Sequence, residues 1–202
     1  MTIYGRFHDK WVHGRRVRVI ADALAELLPS EGSVLDVGSG DGFIDKLIMQ
    51  RRPGVEISGV DVVMRGKAHI PVRQFDGNTI PFEDDSVDVV MLSDVLHHTE
   101  TPLDLLREAL RVSRSGLVIK DVTTGAPDPL ARATLVGMDW VGNARHNVPL
   151  PYNFFTRKQW QDAFDELGLA ESNRRERFGL YPWPATLLFE RRMHFACTLR
   201  PA

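Results

Sequence analysis

The segment SVLDVGSGDG at residues 33–42 constrains the fold of this chain of 202 residues more than any other. Its first half is a short apolar run typical of a buried strand, and glycines then follow at every second position from Gly38 to Gly42. Apolar residues recur at helical spacing from Phe43 to Ile48. Glycine permits a sharp turn and a close approach of the backbone to a ligand. The segment therefore predicts a strand, a turn and a helix whose first N–H groups face a ligand.

Strand and helix patterns alternate along the rest of the chain. Apolar runs predict strands near residues 33–37, 56–63, 71–76, 87–92, 116–122, 171–178 and 193–199. Helical spacing predicts helices near residues 17–28, 43–51, 101–113, 130–140 and 157–167. The run at 87–92 is apolar almost throughout, as in a parallel strand covered on both faces. This alternation predicts an open, doubly wound α/β sheet.

Composition and charge exclude several classes of protein. Hydrophobic residues make up 43% and charged residues 26% of the chain, which is typical of a globular protein in water. The net charge of -2 argues against a nucleic-acid partner. No apolar run approaches the roughly 20 residues needed to span a membrane. One cysteine, Cys197, allows no internal disulfide, so we expect an inert buried thiol in a cytoplasmic protein.

The charges are unevenly distributed between the ends and the middle of the chain. Residues 1–20 contain five basic and one acidic side chain, and residues 171–200 contain six basic and three acidic ones. We expect these basic residues to lie on solvated faces. The alternative is that they form one surface for an anionic acceptor or carrier.

The acidic residues of the glycine loop indicate the charge of its ligand. The spacing is G-x-G-x-G, unlike the G-x-G-x-x-G of dinucleotide enzymes, and Asp36 and Asp41 would repel a pyrophosphate. Asp61 ends the second strand nineteen residues after Gly42, where it can bind ribose hydroxyls. Asp76 ends the third strand and can accept from an adenine amino group. A ribose, an adenine and a cationic end without phosphate together describe S-adenosylmethionine.

The chain resembles the class I S-adenosylmethionine-dependent methyltransferases, and within them the methyltransferase type 11 group. The resemblance depends on VLDVGSGDG, GVD, FDGNTIPFEDDSVDVV and SDVLHH in this order. It implies a Rossmann-like, doubly wound sheet of seven strands, mostly parallel with an antiparallel C-terminal strand, in three α/β/α layers. The implied cofactor-binding residues are Asp36, Gly38, Ser39, Gly40, Asp61, Val62, Asp76, Gly77, Ser93 and Asp94.

We expect a single domain over residues 1–202. It would comprise an N-terminal helix in residues 1–30, a cofactor-binding core in 31–122, a substrate lid in 123–155 and the last helix with the C-terminal strands in 156–202. The lid prediction depends on four prolines and the lack of a sustained period in that segment. Thr156 and Gln159 predict a capping box for the helix that follows.

The expected reaction is in-line transfer of a methyl group to a small-molecule acceptor, with S-adenosylhomocysteine as the product. Such a transfer depends mainly on positioning, and a base is needed where the acceptor holds its proton. His98 and His97 are candidate bases, with His98 preferred because the family commonly has a histidine there. Both could instead pack against the cofactor or cap a helix. Candidate acceptor contacts are Trp140, His146, Tyr152 and Phe155, and these could equally belong to a core beneath a long loop.

Two other functions remain open at this point. The chain could be a non-catalytic or regulatory S-adenosylmethionine-binding module, or, less favoured by the loop spacing, a nicotinamide-dependent oxidoreductase. We expect no metal, because no convincing ligand cluster is present. DNA methylation is disfavoured, because Ser93-Asp94-Val95-Leu96 replaces the Asp/Asn-Pro-Pro-Tyr loop. The sequence predicts neither the acceptor atom nor an oligomeric state.

Overall fold

A mixed sheet of seven strands organises the computed structural model, which describes residues 14–124, 129–143, 151–181, 183, 186 and 193–202. The strands are β1 (Glu31–Val37), β2 (Gly54–Asp61), β3 (Val72–Gln74), β4 (Val89–Ser93), β5 (Leu117–Val122), β6 (Leu169–Arg175) and β7 (His194–Pro201). Their order is β3-β2-β1-β4-β5-β7-β6, and β7 is antiparallel to both of its neighbours. The predicted Rossmann-like sheet with an antiparallel C-terminal strand is therefore confirmed.

Five α-helices flank this sheet in the described residues. They are α1 (Gly14–Leu27), α2 (Phe43–Arg51), α3 (Pro102–Val112), α4 (Pro129–Asn143) and α5 (Arg157–Glu166). A short 3-10 helix, Leu96–His98, follows β4 and has no counterpart in the sequence prediction. None of the helices in the described ranges combines the length and apolarity that a membrane span requires.

Two helix starts follow the predicted local chemistry. Thr156 accepts from the backbone N–H of Gln159, and the Gln159 side chain accepts in return from the N–H of Thr156, so the capping box is confirmed. Pro102 occupies the first turn of α3, where its missing N–H would in any case have had no helical partner.

The largest shift in strand bounds concerns β6. This strand was expected at 171–178, whereas it begins at Leu169 and ends at Arg175. Its pairing with β7 starts at Leu169 opposite Pro201 and becomes irregular between Ser172 and Arg175. Asn173 adopts a φ of 53° within that irregularity, which ends the regular extension of the strand.

Each face of the sheet covers its own apolar core. One face packs Leu35, Val37 and Ile119 with residues of α3 and α5. The other packs Val34, Met91 and Val118 with residues of α1 and α2. The sheet is therefore buried on both sides, and its functional groups must lie at the strand ends.

Trp160 of α5 is the largest fully buried side chain of the described residues. Its ring centroid lies 5.2 Å from that of Phe195 and 5.8 Å from that of Phe164. Its Nε1 donates to the carbonyl oxygen of Val122 over 3.1 Å, so α5 is tied to the end of β5.

Trp160→Phe is expected to lower the free energy of unfolding by about 1–3 kcal/mol, because it leaves the Val122 carbonyl without its buried donor. Trp183→Phe is the matched control, since the Trp183 side chain is 79% exposed, and it should change stability by less than about 0.5 kcal/mol. Urea unfolding followed by circular dichroism measures both. Equal midpoints for the two variants would contradict the role given to Trp160.

Candidate functional site

The candidate site lies at the carboxyl edge of the parallel strands. Strand β1 pairs with β2 on one side and with β4 on the other, so the chain reverses its direction of winding between β1 and β4. In open α/β sheets the ligand crevice forms at this point. The segments that follow β1, β2, β3, β4 and β5 all converge there.

The glycine loop makes the close turn that its spacing predicts. Gly38, Gly40 and Gly42 have φ angles of 78°, 62° and 70° in the left-handed region. A Cβ atom on Gly38 would lie 2.4 Å from Cγ2 of Val95, so a side chain there would collide with the segment after β4. The N–H of Gly38 donates to the carbonyl oxygen of Val60 over 2.7 Å. The loop is therefore pressed between the ends of β2 and β4.

Ser39 turns its side chain away from the mouth of the crevice. Its Oγ is buried and has no hydrogen-bond partner among the described residues, and a Cβ atom on Gly59 would lie 2.2 Å from it. A cofactor contact of Ser39 would therefore come from its backbone.

Asp61 connects the end of β2 to the glycine loop. Its Oδ2 accepts from the N–H of Gly40 over 2.7 Å and its Oδ1 accepts from the N–H of Val63 over 2.8 Å. The residue is 7% exposed, so the carboxylate is held in one orientation at the crevice. Each oxygen keeps a second lone pair, which can accept from a pair of hydroxyl groups.

Val62, Asp76 and Gly77 come together beside Asp61. A Cβ atom on Gly77 would lie 3.2 Å from Cγ1 of Val62, and Val62 is 38% exposed. Asp76 is exposed, and its Oδ1 accepts from the N–H groups of Asn78 and Thr79, both over 2.8 Å. Val62 and Gly77 thus form an apolar surface suited to a flat ring. Next to it lies the carboxylate of Asp76, whose Oδ1 already accepts from backbone N–H groups of its own turn.

Asp36 and Asp45 form a buried carboxyl pair under the glycine loop. Asp36 lies on β1 and is 5% exposed, and Asp45 lies in the first turn of α2 and is fully buried. Asp36 Oδ1 and both Asp45 oxygens accept from no donor among the described residues. Burial raises the pKa of Asp36 well above its usual value, and the neighbouring Asp45 raises it further. Burial raises the pKa of Asp45 to about 7.

Asp94 follows β4, and two cations engage its carboxylate. Lys120 donates to Asp94 Oδ1, and Arg16 of α1 donates to Asp94 Oδ2 over 3.3 Å. Although burial raises the pKa of Asp94, Lys120 and Arg16 hold it well below its usual range. Ser93 is half-buried at the end of β4 beside this group. Arg16 also donates to the hydroxyl of Tyr181, so this N-terminal arginine reaches the site rather than only solvent.

His97 is held by a buried carboxylate. Its Nδ1 lies 2.6 Å from Oδ1 of Asp121, which also accepts from the N–H of Val122. Asp121 Oδ2 accepts from the N–H of Leu96 over 3.0 Å. Because the carboxylate accepts every one of these bonds, Nδ1 carries the proton and Nε2 is the ring nitrogen that can accept one.

His98 lies beside His97 in the same 3-10 helix. The two ring centroids are 4.1 Å apart, and His98 is half-buried whereas His97 is 5% exposed. Both histidines therefore stay candidate bases, and the described contacts show how the ring of His97 is oriented.

Asp94, His97 and Asp121 together are the group of the described residues with metal-ligand geometry, their ligand atoms lying within 4.8 Å of one another. Lys120, Arg16 and backbone N–H groups already satisfy the two carboxylates. Because these donors already compensate the negative charge of the two carboxylates, we predict no metal there.

A cavity of about 440 Å³ opens beyond the end of β5. It lies between the start of α4 and residues 152–156, and Tyr152 and Phe155 line it. Phe154 also lines it, and the Phe154 ring centroid lies 5.7 Å from that of His97. Trp140 is 59% exposed and does not line the cavity, and His146 lies outside the described residues.

Two arginines of strand β6 are paired with carboxylates. Arg174 donates to Glu171 and Glu176, and Arg175 donates to Glu26 over 2.7 Å. They are two of the six basic residues counted at 171–200. Arg191 and Arg192 lie outside the described residues.

Sequence reasoning did not identify Asp45, Lys120 or Asp121 as site residues. A signal was present in each case. Asp45 stands three residues before the buried Ile48 on the apolar face of α2, and Lys120-Asp121 interrupts the apolar run of β5. Charged residues at buried positions almost always have a partner or a function.

A comparison with protein families matches residues 11–171 to the methyltransferase domain. The chain belongs to this family. A methyltransferase from Mycobacterium sp. (strain KMS) is 38% identical over 101 residues, which cover 46% of this chain and 39% of the relative. The match thus spans well under half of that mycobacterial protein.

Solved structures show the same fold at low sequence identity. The methyltransferase in complex with the Haloferax volcanii Trm112 methyltransferase activator has a TM-score of 0.70 at 17% identity, over 96% of this methyltransferase and 93% of that chain. An S-adenosylmethionine-dependent methyltransferase from Thermotoga maritima has a TM-score of 0.67 at 17% identity, over 99% and 96% of the two chains.

As the pH rises from 5 to 8, we expect the free energy of unfolding of Asp45→Asn to increase relative to that of the wild type. The folded pKa of about 7 exceeds the ordinary 3.8, so the folded state binds more protons than the unfolded state and loses stability as the pH rises between these values. The difference should be on the order of 2 kcal/mol. Thermal unfolding at several pH values measures it, with Glu56→Gln, an exposed residue of β2, as the control. Parallel pH profiles for all three proteins would exclude the effect.

Proposed function

We propose that this methyltransferase transfers a methyl group from S-adenosylmethionine to a small-molecule acceptor and releases S-adenosylhomocysteine. The observation that carries the proposal is the pair of buried carboxyl groups, Asp36 and Asp45, under the glycine loop. Dinucleotide enzymes place a pyrophosphate at this turn, and these carboxyl groups would repel it. A cationic amino-acid end is the ligand that they favour.

The proposed cofactor lies across the ends of β1 and β2. Asp61 accepts from the ribose hydroxyls, and Val62 with Gly77 contacts the adenine ring, with Asp76 near its amino group. The backbone of Gly38, Ser39 and Gly40 lines the methionine half, and Asp36 accepts from the ammonium group. Ser93 and Asp94 border the same end, where Asp94 acts through its pairs with Lys120 and Arg16.

The acceptor is proposed to enter through the cavity beside residues 152–156. Its volume of about 440 Å³ suits a small molecule, and the rings of Tyr152 and Phe155 favour an apolar body. Residues 123–155 would act as the lid over it, and of these 125–128 and 144–150 lie outside the described residues. The in-line geometry supplies most of the rate, and His97, oriented by Asp121, would take a proton from a hydroxyl or amine acceptor.

The cellular setting of this reaction is proposed to be the cytoplasm. Cys197, the single cysteine, is fully buried, and burial raises the pKa of its thiol to about 12. Such a thiol is inert toward disulfide exchange, as a reducing compartment allows.

S-adenosylhomocysteine should bind the protein in calorimetric titration, and NAD should not. Asp61→Ala should weaken S-adenosylhomocysteine by about 1–3 kcal/mol, since bonds from ribose hydroxyls to a charged acceptor are lost. Asp88→Asn, on a carboxylate that binds Ser33 at the opposite end of β1, is the control and should leave the affinity unchanged. Binding of NAD but not S-adenosylhomocysteine would refute the proposal.

Labelled methyl groups from S-adenosylmethionine should appear in the small-molecule fraction when the protein is incubated with a metabolite extract. Tyr152→Ala should lower this transfer at least about tenfold while S-adenosylhomocysteine still binds, because positioning of the acceptor is lost. Trp140→Ala, outside the cavity, is the control. Label found only in protein or nucleic acid would contradict a small-molecule acceptor.

A further inference from the structure

Asp45 places a second carboxyl group against the one proposed to bind the cofactor's ammonium group. Asp45 lies on α2 and Asp36 on β1, the two carboxyl groups are near enough that each acts on the pKa of the other, and Asp36 Oδ1 and both Asp45 oxygens have no donor among the described residues. Two neighbouring buried carboxyl groups without another donor can form a hydrogen bond with each other only when one of them carries a proton. Both groups are at least nine-tenths buried, so water does not replace that proton.

The charges around this pair are mostly negative. Asp41 of the glycine loop acts on Asp45, and Asp61 at the end of β2 acts on Asp36. The cations on the same face of the sheet are engaged elsewhere, since Lys120 of β5 and Arg16 of α1 both bind Asp94 after β4. Arg65 lies on the outer side of the loop, 3.6 Å from where a Cβ atom on Gly40 would stand. No described cation contacts Asp36 or Asp45 through a hydrogen bond or ion pair, so a proton is left to stabilise the pair.

We infer that Asp36 and Asp45 share one proton in the empty protein and release it when the cofactor's ammonium group binds Asp36. This inference rests on the proposed function. Asp45 is then a positioning residue that acts through Asp36, and cofactor capture is coupled to proton release.

The exchange balances in charge and in atoms. In the empty protein one O–H of the pair donates to the other carboxylate. On binding, an N–H of the ammonium group donates to Asp36, the shared O–H bond breaks, and the proton passes to the buffer. Because burial raises the pKa of both carboxyl groups, the shared proton is still present near neutral pH. Affinity then rises with pH, by up to about tenfold per unit where one full proton is released.

Two ligands distinguish binding that is coupled to proton release from binding that is not. S-adenosylhomocysteine carries the ammonium group, whereas 5′-methylthioadenosine has the same adenosine and sulfur without the amino-acid end. Titration of the full chain at pH 6 and 7, in two buffers of different ionisation enthalpy, counts the protons released. We expect S-adenosylhomocysteine to release between about half and one proton and to bind about 3–10-fold more tightly at pH 7 than at pH 6. Methylthioadenosine should release none.

Asp45→Asn tests whether this pair is the source of the proton. The amide can donate to Asp36 and keep it ionised, so the variant should bind S-adenosylhomocysteine without proton release and with equal affinity at both pH values. Glu56→Gln changes an exposed carboxylate of β2 away from the glycine loop and should keep the release of the wild type. If Asp45→Asn does not fold, the two-buffer comparison of the two ligands on the wild type decides.

The outcomes distinguish this inference from the function on which it rests. S-adenosylhomocysteine that binds the wild type without releasing a proton overturns the shared proton and leaves the cofactor assignment intact. The same follows if Asp45→Asn releases as many protons as the wild type. If neither adenosine ligand binds, the cofactor assignment fails, and the inference fails with it.

Discussion

Burial of charged groups at the carboxyl edge of the sheet is the constraint on which the rest of this structure depends. Helices cover both faces, so the ends of β1, β4 and β5 are removed from water. A charge in such a place is costly unless a partner compensates it. Asp94 has Lys120 and Arg16, and Asp121 has His97 with two backbone N–H groups.

The compensated carboxylates also determine how neighbouring elements pack. Through Arg16, Asp94 ties α1 to the segment after β4 and, through the Tyr181 hydroxyl, to the segment after β6. Asp121 holds the start of the 3-10 helix by the N–H of Leu96, and the ring of His97 lies beside that of Phe154, which lines the cavity beyond β5. One side of the crevice is therefore rigid before any ligand arrives. The proposed chemistry, which depends on positioning, requires such rigidity.

The glycine loop presents the opposite case. Asp36 and Asp45 are as deeply buried as Asp121, yet neither has a cationic partner among the described residues. Their burial without a cation is unfavourable in the empty protein. In the proposed function the cationic end of the cofactor compensates it, whereas a phosphate group would be repelled.

Prediction from the sequence succeeded where the determining interactions are local. Glycine spacing specified the turn, Thr156 and Gln159 specified a helix start, and apolar runs located the strands to within a few residues. It did not identify Asp45 and Asp121, because their partners Asp36 and His97 lie on other elements. The orientation of His97 likewise depends on Asp121 of β5, which the local pattern does not encode.

The sequence by itself determined the fold class, the family and the acidic character of the glycine loop, since these follow from periodicity, backbone freedom and residue type over short stretches. Only the tertiary structure decided which buried carboxyl groups are paired with cations, which buried carboxyl groups are neighbours without a described cation, and how His97 is oriented. Those outcomes depend on desolvation and on partners from distant segments, and both exist only once the helices have packed against the sheet.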